Sequence, residues 1–148
     1  MGQILLSALL ASVFAGVSDI FAASALVRQP PNRILQTVAS GVLGRASYEG
    51  GGTTAALGLA LQVAMSFMIA LAYNLAAAKV PVIRDSPLLY GALYGVVVYV
   101  VMNFVVVPLS RAYPKPQWTP QSVIAMLIVM VAYAEIIALI AAALGVGA

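Results

Sequence analysis

The sequence predicts an all-α membrane protein, a bundle of four transmembrane helices with a short interfacial amphipathic helix in the first loop. Three observations predict it. Hydrophobic residues make up 64% of the chain and charged residues 7%, where a soluble domain carries about 25% charged residues. Four apolar stretches each approach the ~20 residues needed to cross ~30 Å of hydrocarbon. The segments between them are short and rich in Pro and Gly, the chemistry of turns. In lipid a helix is the open-chain structure that satisfies its own backbone. The 148 residues suit one membrane domain spanning 1–148.

The first span runs from about Ile4 to Val27 and is followed by Gln29-Pro30-Pro31-Asn32. Its N-terminus lacks the basic residues of a cleaved leader, so a retained helix is expected. The second span covers about Thr54 to Ala78. Gly50-Gly51-Gly52 reads as its flexible entry, with Thr53 or Thr54 as the capping residue. The third covers about Leu88 to Leu109, opened by Pro87 and stopped or kinked by Pro108. The fourth covers about Ser122 to Val146. Tyr113 and Trp118, in the loop before it, fit the headgroup belt. In the first loop, Ile34, Leu35, Val38, Val42 and Leu43 share one side of a helical period over about 33–44. That pattern predicts a short helix lying in the membrane interface.

Several chemistries are excluded by composition. The chain has no Cys and no His, so thiolate chemistry and imidazole-ligated metals or haem are absent from it. The net charge of +3 comes from scattered side chains, whereas a nucleic-acid surface needs a basic patch. No phosphate-cradling loop, nucleophile elbow or metal-ligand spacing is present. No cofactor and no enzymatic activity are expected. Loops one and three carry Arg28, Arg33, Arg45, Arg111 and Lys115, against Lys79 and Arg84 in loop two. The excess favours loops one and three in the cytoplasm.

Two carboxylates, Asp19 and Glu135, fall inside predicted spans. A charge at bilayer depth costs at least ~2.5–3.5 kcal/mol on insertion scales, so each should face protein, water or a partner. They read either as proton or cation sites or as hydrogen-bonded acids that join helices. At 1.5 Å per residue, Asp19 lies ~24 Å from the N-terminal side, level with Gln62 and Asn103. These three are expected to form one polar layer. Glu135 is expected one or two turns away, near Ser66 and Tyr99. Asn74 is expected at the interface or in a cap. Gly91 and Gly95 form a G-x-x-x-G pattern, which lets a second backbone approach closely; Gly58, with Ala55 or Gln62, offers a weaker stripe of the same kind.

Pro30-Pro31-Asn32-Arg33-Ile34-Leu35-Gln36, with Ala39-Ser40-Gly41-Val42-Leu43-Gly44 after it, resembles a group of uncharacterised bacterial four-helix inner-membrane proteins. So does Leu89-Tyr90-Gly91-Ala92-Leu93-Tyr94-Gly95, followed by Val101-Met102-Asn103-Phe104 and Val106-Val107-Pro108-Leu109-Ser110. More distantly the chain is similar to the YagU-type proteins. The resemblance implies a bacterial cytoplasmic membrane and the same four helices, but no activity. Relatives carry a His near the position of Gln62, which this chain lacks. Their more basic second loop implies the opposite orientation to the Lys/Arg count. The expected function is an accessory or structural subunit that packs against larger membrane proteins or itself. The alternative is an oligomeric small transporter or channel using Asp19 and Glu135.

Overall fold

The computed structural model describes residues 1–148 and is helical apart from short connections. The first span is α1 (Gly2–Val27). It is followed by α2 (Pro31–Leu43) and a single 3-10 segment, Gly44–Tyr48. The second span is α3 (Gly51–Lys79). A one-turn helix, α4 (Pro81–Asp85), fills the second loop. The third span combines α5 (Pro87–Val101), a π-helical turn (Met102–Val106) and α6 (Val107–Leu109). The fourth is α7 (Pro120–Ala143). The four spans are 26, 29, 23 and 24 residues long, enough to cross a bilayer.

Local chemistry explains the boundaries. Proline stands in the first turn of α2, α4, α5 and α7, where its missing N–H would have no partner anyway. At α7 the Thr119 hydroxyl accepts from the Ser122 N–H at 3.2 Å, and the Ser122 hydroxyl accepts from the Thr119 N–H at 3.1 Å. This capping box satisfies two of the free ends of that helix. Neither Thr53 nor Thr54 caps α3. The helix starts earlier, at Gly51, and Thr54 donates from its hydroxyl to the Gly51 carbonyl. Pro108 does not end its helix at once; the π turn precedes it and the helix runs on to Leu109. Proline has no N–H to give the carbonyl one turn back, and a widened turn is one way to accommodate that.

The bundle is inverted relative to a soluble one. Its buried face is small and polar, and its large apolar side chains point out. On α1 the buried residues include Ser7, Ala8, Ala11, Ser12, Ala15 and Gly16, while Leu9, Phe14 and Phe21 are exposed. On α3, Thr54, Gly58, Gln62, Ser66, Ala70 and Asn74 form the inner stripe. Small inward residues let backbones approach, and hydrogen bonds between helices replace the missing hydrophobic drive. The shared core of α1, α3 and α7 contains Ala8, Ala11, Ala15, Ala70, Tyr73, Ile137 and Ala138. Val146, beyond the end of α7, folds back onto it.

The extensive pairings are α1 with α3, α1 with α7, and α5 with α7. The spans therefore follow one another in the order α3, α1, α7, α5. α5 is joined to the rest chiefly through α7. Across the remaining gap, the Tyr94 hydroxyl donates to the Ile69 carbonyl at 2.7 Å, and its ring lies 5.3 Å from that of Tyr73. Tyr94→Phe is expected to cost about 1 kcal/mol of stability in detergent, the scale of one interhelical hydrogen bond. A thermal melt followed by circular dichroism checks this.

α2 is present as expected, and the side it turns to the bundle is centred on polar and small residues, with Ile34, Leu35 and Val38 half-buried beside them. Gln36, Ala39 and Ser40 are buried against the bundle, while Val42 and Leu43 stay exposed. The reason is a partner the periodicity does not show. α2 packs along the start of α3, and Gln36 donates to the Gly51 carbonyl at 3.2 Å. The contact is close enough that a Cβ at Gly58 would lie 1.8 Å from the Leu35 carbonyl oxygen. The C-terminal end of α2 meets the third loop. The Arg111 N–H donates to the Gly41 carbonyl at 2.9 Å, and the Tyr113 N–H donates to the Ser40 hydroxyl at 3.0 Å. Arg33 stacks over the Tyr48 ring and Arg45 over that of Tyr113. Loops one and three thus form one cap at the same end of the bundle.

Candidate functional site

The polar residues of the spans are divided among four places. Asp19 faces α3 from α1, about eight residues short of the loop-one end. Its carboxylate accepts a 2.8 Å hydrogen bond from the side-chain amide of Gln62. The two residues line a small cavity with Ser66, Tyr133 and three methionines, Met65, Met102 and Met130. The cavity has a volume of about 40 Å3, room for a water molecule. The Tyr133 hydroxyl is buried with no hydrogen-bond partner. Polar groups from α1, α3 and α7 therefore converge on one point inside the apolar bundle. A carboxylate can accept several hydrogen bonds, and the protein supplies one.

Asn103 does not join this layer. Its amide donates to the Tyr99 carbonyl on its own helix at 2.9 Å. It sits in the π turn and lines a separate cavity with Tyr99, Trp118 and the start of α7. Depth arithmetic assumed straight, parallel rods, and it could not show that α5 stands away from α1 and α3.

Glu135 is elsewhere again. It lies against α5 close to the loop-two end, where a Cβ on Gly91 would come within 3.1 Å of its Oε2. That oxygen is buried without a hydrogen-bond partner. Ser66 and Tyr99 are not its neighbours in the two cavities they line. Gly91 and Gly95 do face α7. A Cβ on Gly95 would lie 2.7 Å from the Val131 Cα and 2.8 Å from the Met130 carbonyl oxygen. The G-x-x-x-G pair therefore packs within the chain.

Asn74 is fully buried rather than interfacial, and its amide donates to the Ile4 carbonyl at 3.0 Å. It ties the far ends of α1 and α3 together. The serine and alanine stripe of α1 also escaped the sequence reading. Its signal was present as small residues four apart, at Ala8, Ser12 and Gly16 and at Ala11 and Ala15. The methionines gave no signal, because methionine in an apolar span reads as gap filling.

Asp19 and Gln62 are close enough to couple. A double-mutant cycle with Asp19→Asn and Gln62→Leu is expected to give a coupling of about 0.6–1.7 kcal/mol, the range for side-chain hydrogen bonds between membrane helices. Additive losses in detergent unfolding would show that the contact contributes nothing.

No protein-family model, curated protein or solved structure matches the chain. The case for a function therefore rests on the geometry above.

Proposed function

We propose that this protein is a structural subunit of a larger membrane assembly, built to receive a further transmembrane helix between α3 and α5. The observation that carries this reading is the incomplete closure of the bundle. α5 is held chiefly by α7, and the gap toward α3 is bridged by the Tyr94 side chain. The groove left there has a volume of about 220 Å3. Met68, Ile69 and Ala72 form one wall, and Val97, Val98 and Val101 form the other. Nothing polar in that lining suits a solute. An apolar groove between two spanning helices suits the side chains of a third, from a second copy or from a larger partner. The close-packed alanines Ala11, Ala15 and Ala70 in the shared core also support a packing role.

One observation favours a second reading, an oligomeric carrier. Asp19 has a single donor and borders a space that would hold a water or a small cation. In that reading Asp19 is the ion ligand, while Glu135 serves a different point of the assembly. With either reading we propose, on the sequence resemblance alone, a bacterial cytoplasmic membrane, kinship to the YagU-type proteins and no enzymatic activity.

Extraction from the native membrane in mild detergent tests the first reading. A discrete complex larger than the 15.3 kDa chain and its detergent belt is expected. A monomer from membranes of normal abundance would overturn it. Reconstituted ion flux that Asp19→Asn abolishes would establish the second reading instead.

A further inference from the structure

α1 and α5 part company at the loop-three end, and the crevice between them has a volume of about 480 Å3. That is the size of a small-molecule site. Leu26 and Val27 of α1 and Met126 of α7 supply an apolar wall. Tyr99 and Asn103 on the third span and Gln121 at the start of α7 supply polar groups. Tyr99 is only 7% exposed and lines this crevice. Asn103 uses its amide N–H on the Tyr99 carbonyl, which leaves its side-chain oxygen free. The wall here is the π turn, Met102–Val106; such turns recur at functional sites.

Charge and position identify the occupant. Arg28 follows Val27 directly, and Lys115 precedes the lining residue Pro116, so the backbones of both adjoin the rim and their long side chains can reach it. The same end of the molecule carries Arg33, Arg45 and Arg111, against Glu49 alone. Arg33 and Arg45 are engaged over tyrosine rings. Trp118 lies at the mouth, 5.3 Å from the Phe104 ring, as interfacial aromatics do. A basic rim over a crevice that mixes uncharged polar groups with apolar side chains matches an anionic phospholipid.

We propose that this crevice binds one anionic glycerophospholipid. Its phosphate lies at Arg28 and Lys115. Its glycerol ester groups lie beside Leu26 and Val27, within reach of Gln121, Asn103 and the Tyr99 hydroxyl, and one acyl chain runs deeper past Met126. The site is separate from the α3–α5 groove and does not depend on what fills that groove.

Trp118 is the sole tryptophan, so its fluorescence reports from the wall of the site. The full chain in maltoside micelles would be titrated with phosphatidylglycerol or phosphatidylcholine, with native mass spectrometry counting retained lipids. One retained phosphatidylglycerol is expected, with a saturable Trp118 response at least tenfold tighter than for phosphatidylcholine. Arg28→Gln with Lys115→Gln should remove that preference. Ala125→Phe, which places a ring in the cavity, should remove the bound lipid. Tyr99→Phe, which deletes only a hydroxyl, should weaken binding at least threefold without changing the melting curve. Arg84→Gln, at the opposite end, should change nothing. Equal responses to the two lipids, or a preference that survives the double arginine–lysine replacement, would overturn the proposal. So would selective binding of a water-soluble compound that phosphatidylglycerol fails to displace.

Discussion

Gly58→Ala is expected to be the most damaging single substitution in the chain. The added methyl would lie 1.8 Å from the Leu35 carbonyl oxygen and 2.6 Å from its carbon. Both are backbone atoms, so no side-chain rotation relieves the clash. α2 must move away from α3, and the Gln36 bond to the Gly51 carbonyl is stretched with it. Alanine in mid-helix returns about 1 kcal/mol of backbone preference, which offsets part of the cost. A net loss of about 3 kcal/mol is expected, at the upper end for overpacking. Gly52→Ala is the control, because nothing lies within 4 Å of a Cβ there. It should be neutral or slightly stabilising. Detergent melts of the two variants against the parent check the pair.

The second large effect belongs to Gly95→Ala. Its methyl would meet the Val131 Cα at 2.7 Å and the Met130 carbonyl oxygen at 2.8 Å. Again the obstacle is backbone, at the seam that holds α5 in place. A loss of about 2 kcal/mol is expected, with α5 the first element to loosen. Gly91→Ala should cost less. Its methyl meets side-chain atoms only, the Ala138 Cβ at 2.9 Å and the Glu135 carboxylate at 3.1 Å; the acid can rotate away, and the Ala138 contact needs only a small shift between α5 and α7. Hydrogen exchange on α5 distinguishes the two. Faster exchange over Pro87–Val101 is expected for Gly95→Ala and little change for Gly91→Ala. The reverse order would contradict the packing described here.

These expectations also show where the sequence was legible. Length and hydropathy located the four spans, because the bilayer imposes both. Pro87 located the start of α5, because a residue without an N–H fits where no acceptor is needed; Pro31 and Pro120, read as loop residues, open α2 and α7 for the same reason. The Asp19–Gln62 contact was within reach of simple depth arithmetic, since antiparallel neighbours with a common rise share levels. Asn103 and Glu135 were not, because their surroundings depend on which helices are neighbours. Sequence periodicity carries no information on that order when apolar residues cover every face. The burial of Asn74 was missed for a related reason, while Gly58 was legible as a close-packing residue but its partner was not. Each is a single residue whose role is set by a backbone far away in the chain, Ile4 in one case and Leu35 in the other. The crevice at Tyr99 could not be foreseen, since it arises from the divergence of α1 and α5 rather than from any motif.

The account's central claim is that the groove between α3 and α5 holds another transmembrane helix. The chain has no cysteine, so single cysteines can be placed at will and labelled with a benzophenone photocrosslinker in native membranes. Met68 and Val97 stand on the two walls of the groove, 65% and 54% exposed, and Ile128 on α7 is equally exposed at 62%. Irradiation is predicted to give a discrete polypeptide adduct from Met68→Cys and Val97→Cys, and only lipid adducts from Ile128→Cys. Polypeptide adducts from none of the three, or in equal yield from all three, would contradict it.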